Sequence, residues 1–297
     1  MNNLLSSTAV TRTEEGSFVL ATSENIFIEE NGKWICSLSL SNYQIRDLTC
    51  SGGIIYGAGD NGIFIRSTNG GIDWLVEHFP TKANVWSIVS NGRGLVVAHG
   101  EKVIYISTNY GETWSVLSPF GVHNPPSIRS LCLYEKYLFI GTKIHRENGG
   151  VWMMDLSSHE VTKLNAKTNQ MISAMLVTNH QLVTVSGSCR GKDGIIEFIS
   201  LNDIKRKTEY QWNKCYSTDV QGSFLDISAH NGVLFTTSSQ NESGYSTVSR
   251  VYLESQQIVP CDYVRGHGWR ICNENENYIV AAQNETRFFE KNSQRVC

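Results

Sequence analysis

Six short apolar segments of the chain share one polar position that could carry chemistry. The segments read IRDLTC, VWSIVS, IRSLCL, ISAMLV, FLDISA and WRICNE, and their polar residues are Asp47, Ser87, Ser130, Ser173, Asp226 and Arg270. A carboxylate at such a position can act as a general base, and a guanidinium beside it can bind an anion. The aspartates and the arginine can instead neutralise each other as a structural Asp–Arg pair that lines a water-filled channel. The sequence leaves both interpretations open.

Two histidines extend this set to a candidate catalytic group. The group comprises Asp226, Arg270, His267 and His99. The candidate binding residues lie close to the same segments or on polar loops: Asp47, Arg46, Arg129, His145, Arg146, Arg190 and Arg265. A surface with this many cations suits an anionic small molecule, a carboxylate or an acidic peptide. Because solvated loop charges would produce the same composition, binding is a hypothesis at this point.

The composition argues against several other classes of function. The formal net charge of -3 and the scattered aromatic residues do not suit a nucleic-acid partner. No zinc signature, P-loop or dinucleotide-binding glycine motif occurs, so we expect neither a metal nor a cofactor. No stretch approaches the ~20 apolar residues of a membrane span, and the N-terminus lacks the basic and apolar regions of a secretory signal.

The cysteines bear on the compartment. The chain has 8 of them, widely spread and without a C-x-x-C pair, and most lie in apolar segments. Cysteines of this kind behave as small buried hydrophobes, which favours a reducing, cytoplasmic location over a disulfide framework. A monomer is the expected oligomeric state.

The elements that must position the candidate residues repeat along the chain. Seven segments consist of a short apolar strand that ends in a small residue and a polar loop: SFVLAT, IIYGAG, LVVAHG, LFIGTK, LVTVSG, VLFTTS and YIVAAQ. Their small positions, from Ala21 to Ala281, recur every 36 to 52 residues, close to the length of a four-stranded propeller blade. The pattern predicts an all-β chain that forms one seven-bladed β-propeller domain of four-stranded antiparallel blades over residues 1–297. Six or eight blades are the alternatives.

The two ends of the chain resemble each other, which bears on how the ring closes. The segments ENIFIEENGKWIC (24–36) and ETRFFEKNSQRVC (285–297) share five of thirteen residues. The last blade is therefore expected to be nearly complete by itself. The first ten or so residues can then supply the inner strand of the first blade, or they can complete the last blade.

Two turns one blade apart share an eight-residue motif. They read STNGGIDW (Ser67–Trp74) and STNYGETW (Ser107–Trp114), and both fit the pattern S-x-[D/N]-x-G-x-[T/D]-W. The motif resembles the Asp box, or BNR repeat, of the propeller family that includes sialidases, sortilin-like receptors and photosystem II assembly factors. The resemblance implies a turn between the third and fourth strands of a blade. In it, the Asn69 side chain accepts backbone N–H groups, Gly71 takes a positive φ and Trp74 packs between blades.

The resemblance also implies where a functional site would lie. In that family the Asp-box turns lie on one rim, so the opposite rim is where a ligand is expected. The sequence departs from the sialidases because it shows no complete arginine triad and no R-I-P-type motif, only TRTEE around Arg12. We therefore favour a binding or assembly module for an anionic small molecule or protein partner. The alternative is a small intracellular hydrolase or lyase with a His/Asp/Arg site over the central channel.

Overall fold

The computed structural model describes residues 6–188, 194–206, 210–217 and 222–290. The strands form seven antiparallel sheets, each built from consecutive strands, and the sheets are the blades of a propeller ring. The predicted seven-bladed fold is therefore confirmed, and the alternatives of six or eight blades are wrong.

The innermost strands line the central channel. They are β1 (Ala9–Arg12), β5 (Ile45–Ser51), β9 (Ile88–Ser90), β13 (Ile128–Tyr134), β17 (Met171–Thr178), β21 (Phe224–His230) and β25 (Gly268–Glu274). The second strands are β2 (Phe18–Ala21), β6 (Ile54–Gly59), β10 (Val96–His99), β14 (Tyr137–Thr142), β18 (Gln181–Gly187), β22 (Val233–Ser238) and β26 (Asn277–Ala282). These second strands coincide with the seven apolar repeats of the sequence.

The outer strands complete each blade. The third strands are β3 (Asn25–Glu30), β7 (Ile63–Ser67), β11 (Ile104–Ser107), β15 (Gly150–Asp155), β19 (Ile195–Ser200), β23 (Tyr245–Tyr252) and β27 (Thr286–Phe289). The fourth strands are β4 (Lys33–Ser39), β8 (Leu75–His78), β12 (Ser115–Leu117), β16 (Val161–Ala166), β20 (Asn213–Cys215) and β24 (Gln257–Arg265). One short helix, α1 (Leu201–Arg206), separates β19 from β20. Among the described residues the seventh blade has three strands.

The burial of the strands explains why the repeats are apolar throughout rather than alternating. Strand β2 is buried at all four positions, whereas the outer strand β8 is mostly exposed. A blade in the ring is covered on both faces by its two neighbours, so both faces of its second strand must be apolar. Each hydrophobic cluster accordingly joins adjacent blades, as where Tyr56 and Phe64 of the second blade pack with Val96 and Tyr105 of the third.

The ring closes through the first blade. Strand β1 pairs with β2, so the N-terminal segment forms the inner strand of the first blade, which answers the question left open by the sequence. The Ser7 N–H donates to the Ala282 carbonyl at 3.1 Å, and the Thr286 hydroxyl donates to Ser7 Oγ at 2.7 Å. An ion pair between Arg12 and Glu274 adds a third link between the first and last blades.

The two motif turns connect third to fourth strands, and side chains hold them in shape. In the first turn, Ser67 Oγ accepts the Gly71 N–H at 2.9 Å and Asn69 Oδ1 accepts the Asp73 N–H at 3.0 Å. The second turn repeats both bonds at the same distances. The Trp74 indole N–H donates to Ser37 Oγ of the preceding blade, at 3.0 Å. The turn geometry expected from the sequence is therefore confirmed.

Replacing Gly111 of the second motif turn is expected to destabilise the fold more than replacing Gly70 of the first. Gly111 has a φ of 87°, and a Cβ there would lie 2.6 Å from the ring of the fully buried Phe64. Gly70 has a φ of 73° with open space around it, and Tyr110 occupies the matching place in the second turn. We expect Gly70→Ala to cost about 1–2 kcal/mol for the left-handed backbone, and Gly111→Ala to cost about 1–3 kcal/mol more for overpacking. Urea unfolding of both variants measures the difference, and equal costs would contradict this account of the packing.

Candidate functional site

A β-bulge at the start of the inner strands sets the direction of the channel residues. The register shifts between Ile45 and Asp47 in β5, and the same shift recurs in four other inner strands. In β17 the shift lies between Ile172 and Ala174. Ala174 therefore occupies the position that matches Asp47, and the sequence alignment that placed Ser173 there was wrong by one residue. Ser173 is the second residue of its segment and occupies the bulge, as Arg46 and Arg129 do in theirs, whereas Asp47 and Ser130 are third residues.

Arg270 connects the two carboxylates predicted to surround the channel. Its Nε donates to Asp47 Oδ1 at 3.0 Å, and one terminal nitrogen donates to the Trp86 carbonyl at 2.7 Å. The other terminal nitrogen lies 3.8 Å from Asp226 Oδ1. Residues from four blades thus meet at one guanidinium, and the predicted Asp–Arg pair is present.

Each carboxylate also holds the neighbouring blade. Asp47 Oδ2 accepts the Ile88 N–H at 2.9 Å, and Asp226 Oδ2 accepts the Ile271 N–H at 2.9 Å. Neighbouring inner strands do not pair by backbone hydrogen bonds in the described sheets, so these side chains supply links between blades. We call the polar residues that line the channel at these positions the polar ring: Asp47, Ser87, Ser130, Asp226 and Arg270. The polar ring therefore has a structural role whatever else it does.

Burial dominates the electrostatics of this ring. It raises the pKa of Asp226 to about 6, although the charge of Arg270 works in the opposite direction. It raises the pKa of Asp47 as well, again against the effect of Arg270. Burial disfavours the charged form of Arg270, but Asp47 and Asp226 together raise its pKa. Asp226 is thus a group of the ring that can exchange a proton near neutral pH.

Two further arginines flank Trp86 at the same end of the channel. The Arg46 guanidinium lies 4.8 Å from the centre of the Trp86 ring, and the Arg129 guanidinium lies 5.5 Å from it. Arg46 is held by Asp60 through two hydrogen bonds of 2.8 and 2.9 Å. Arg129 forms no ion pair with a described residue, and one of its terminal nitrogens is buried without a hydrogen-bond partner there. Burial lowers the pKa of Arg129 to about 10, so it remains a cation at pH 7.

These residues surround a cavity of about 260 Å³ in the channel. Asp47, Asp226, Arg129 and Arg270 all line it, together with three serines of the inner strands. No histidine is among its described lining residues. The described wall therefore holds the carboxylates of Asp47 and Asp226 and the guanidinium of Arg270, which these contacts engage. It also holds the guanidinium of Arg129, one of whose terminal nitrogens has no hydrogen-bond partner in that part of the chain.

The two predicted catalytic histidines lie elsewhere. His99 ends β10 in a fully buried position, where its Nδ1–H donates to the Gly100 carbonyl at 2.6 Å. Burial lowers its pKa to about 4, so the ring is neutral at pH 7. His267 accepts the Gln240 N–H at 3.1 Å, and burial lowers its pKa too. No described hydrogen bond or ion pair joins either histidine to Asp226 or Arg270, so of the four proposed catalytic residues only these last two are in contact.

The predicted binding residues also divide into two sets. Asp47, Arg46 and Arg129 lie together around the channel mouth. His145 instead caps its own loop, since its Nδ1 accepts the Asn148 N–H at 3.0 Å. Arg146 is exposed in a loop, and Arg265 is exposed at the end of β24. Arg190 lies outside the described residues.

Trp86 is the residue of this site that the sequence did not reveal. Its carbonyl binds Arg270 and its ring lies between two arginines. In the sequence it is one more aromatic residue of an apolar segment. Its position immediately before Ser87 of the polar ring was the available signal.

Two other findings bear on partners. In the described parts of the chain, no three His, Cys, Asp or Glu side chains are grouped so that they could hold a metal ion. No helix within those parts is long and apolar enough to cross a membrane.

The fold and the site define this chain as a seven-bladed β-propeller with a charged cavity in its channel. No family model matches the sequence. The chain is 36% identical over 287 residues to the uncharacterized protein YkuO of Bacillus subtilis strain 168, and the match covers 95% of this chain and 94% of that protein. The chain therefore belongs to the YkuO family.

Solved structures of other propellers share the fold at low sequence identity. YCF48 from Cyanidioschyzon merolae has a TM-score of 0.72 at 14% identity, over 98% of this chain and 97% of that one. The RRP9 WD40 repeats have a TM-score of 0.70 at 11% identity, over 96% and 94%. A chain of the mitotic checkpoint complex has a TM-score of 0.70 at 12% identity, over 97% and 91%. At these identities the similarity shows the fold alone.

Removing Arg270 is expected to destabilise the protein strongly at neutral pH. Arg270→Met leaves two buried carboxylates without their shared cation, and breaking a buried pair costs about 3–5 kcal/mol. The deficit should shrink below pH 6, where Asp226 becomes protonated. The matched control is Arg46→Met, which breaks a more exposed pair and should cost about 1 kcal/mol or less. Chemical unfolding at pH 7.5 and pH 5 measures both, and equal losses for the two variants would contradict the central role of Arg270.

The free energy of unfolding should also depend on pH because of the raised pKa of Asp226. Its pKa is about 6 in the folded chain against 3.8 in the unfolded one, so its contribution is complete below pH 3.8 and is lost as the pH rises through 6. The free energy of unfolding of the wild type, relative to Asp226→Asn, should fall by about 2 kcal/mol between pH 4.5 and 7.5, at 1.36 kcal/mol per pKa unit. Asp155→Asn is the control because Lys136 holds the pKa of Asp155 at about 2, below this range. A flat difference for Asp226→Asn in urea titrations would refute the assignment.

Proposed function

We propose that this propeller is a binding or assembly module that takes an anionic group at the mouth of its channel. The anion belongs to a small molecule or to an acidic segment of a protein partner. The observation that carries the proposal is the guanidinium of Arg129, which lines the cavity with a buried nitrogen that no described protein group satisfies. A buried donor without a partner costs free energy, and a charged one costs more, so a ligand that supplies the acceptor gains that energy on binding.

The direction of the strands supports this location. Each blade runs outward from its innermost strand, so first-to-second and third-to-fourth turns lie on one rim. The two motif turns are third-to-fourth turns. Arg46, Trp86 and Arg129 stand at or just before the start of inner strands, which is the other rim. The resemblance of the turns to Asp boxes, and with it membership of the Asp-box propeller superfamily, is part of the same proposal.

Further properties belong to the proposal as well. A reducing, cytoplasmic location is supported by the described cysteines, six of which are free thiols. A protein partner is supported by the likeness to a propeller chain of the mitotic checkpoint complex, itself a protein assembly. We propose that the chain acts as a monomer until it meets that partner.

A hydrolase or lyase is the second candidate. The observation that favours it is Asp226, a buried carboxyl whose pKa of about 6 suits a general base at neutral pH. The described cavity wall adds Asp47 but no histidine, so a separate proton donor is not evident there. Binding is therefore the function that the geometry supports better.

Arg129 provides the test of the binding function. A panel of acetate, propionate, phosphate and sulfate is screened for stabilisation of the wild type against thermal unfolding. At ten times its dissociation constant a ligand adds about 1.4 kcal/mol of stability. We expect this gain to be lost in Arg129→Met, which keeps an apolar chain over Trp86, and retained in Arg146→Met, which removes an exposed loop cation. If no anion of the panel stabilises the wild type, or if Arg129→Met responds as the wild type does, the proposal fails.

A further inference from the structure

We propose that the anion is a single carboxylate, bound to the Arg129 guanidinium and sharing one proton with the carboxyl of Asp226. This inference rests on the proposed binding function and adds the chemical class of the ligand and a proton that enters with it. The class is met by a short monocarboxylic acid or by a glutamate or aspartate side chain from a partner.

Arg129 is the cation at the channel that has capacity for a ligand. The guanidinium of Arg270 is committed to Asp47, to the Trp86 carbonyl and to the contact with Asp226. The guanidinium of Arg46 is committed to both oxygens of Asp60. Arg129 has a cation–π contact with Trp86 and no ion pair among the described residues. A planar guanidinium offers two parallel N–H groups, which match the two oxygens of a carboxylate.

Asp226 is placed to hold the shared proton. Its Oδ2 is occupied by the Ile271 N–H, whereas its Oδ1 lies 3.8 Å from the Arg270 guanidinium, beyond hydrogen-bond distance. The charged and titratable groups that face it are Arg270 and Cys272 from β25, Asp47 from β5, and Arg129 from the start of β13. A second carboxylate bound at Arg129 would be a like charge close to Asp226, and two such groups keep one proton between them. Since burial already raises the pKa of Asp226 to about 6, the proton is available near neutral pH.

The charge of the cavity wall disfavours anions with more than one negative charge. Its wall already carries two carboxylates against two guanidinium groups, one of them fully engaged. A phosphate dianion would add two negative charges and find one free cation in the described part of the wall. The volume of about 260 Å³ corresponds to roughly nine water molecules at ~30 Å³ each, so a short carboxylic acid fits within it.

Proton-linked binding has a measurable signature in its pH dependence. With one proton taken up per ligand, the dissociation constant of propionate should weaken about tenfold per pH unit above pH 7, where free Asp226 is ionised. Calorimetry at pH 7 and 8, in two buffers of different ionisation enthalpy, measures the constant and the number of protons. Asp226→Asn should bind propionate with a dissociation constant that changes less than twofold between pH 7 and 8, and without proton uptake. Asp155→Asn, which removes the same charge outside the cavity, should retain the tenfold slope.

The outcomes separate this inference from the binding function beneath it. Arg129-dependent binding of propionate with no pH slope, or phosphate binding as tightly as propionate, would overturn the shared proton and leave the binding function intact. No binding of any anion between pH 5.5 and 8 would overturn both. A blocked peptide with a single glutamate serves as a second probe, and the tighter of the two probes identifies the source of the carboxylate. The amide introduced by Asp226→Asn can still accept the Ile271 N–H, and if that variant does not fold, the wild-type slope alone decides.

Discussion

One guanidinium holds four blades together at the mouth of the channel. Arg270 comes from the seventh blade, and its three nitrogens contact Asp47 of the second blade, the Trp86 carbonyl of the third and Asp226 of the sixth. Adjacent blades pack through apolar faces, which resist separation but have little directional preference. Hydrogen bonds to a charged donor are directional, and they become stronger when water is excluded. The polar ring thus fixes how the inner strands are placed around the channel.

The cost of this arrangement is buried charge. Two carboxylates with one shared guanidinium would leave a net negative channel wall, and burial shifts the pKa values of both carboxyls upward in response. Arg129 lies close enough for Asp226 and Asp47 to stabilise its charge. It compensates the ring without an ion pair to any described residue, and for that reason it is the cation at which we propose that an anion binds. The structural role of the ring and the proposed anion binding therefore have the same origin.

The sequence predicted the fold and half of the site. Apolar repeats from Ala21 to Ala281 count the blades because a blade buried on both faces needs such a strand at each step. The pairing of Asp226 with Arg270 followed from aligning equivalent positions on neighbouring blades. The placement of Ser173 was wrong because this serine is the second residue of its segment and occupies the bulge, whereas the equivalent third residue is the apolar Ala174. The importance of Trp86 was missed because its main contact with Arg270 uses a carbonyl group, which every residue possesses.

What the sequence by itself determined is local: the alternation of short strands and turns, the side-chain bonds within the Ser67 and Ser107 turns, and the residue types available to the channel. These depend on residues a few positions apart in the chain. The tertiary structure alone decided that β1 closes the ring, that His99 and His267 lie apart from Asp226, and that Arg129 lines the cavity with no partner among the described residues. Each of these depends on which side chains meet across blades, and partners such as Asp47 and Arg270 are 223 residues apart. Distances of that kind are set by the closure of the ring, and no local pattern records them.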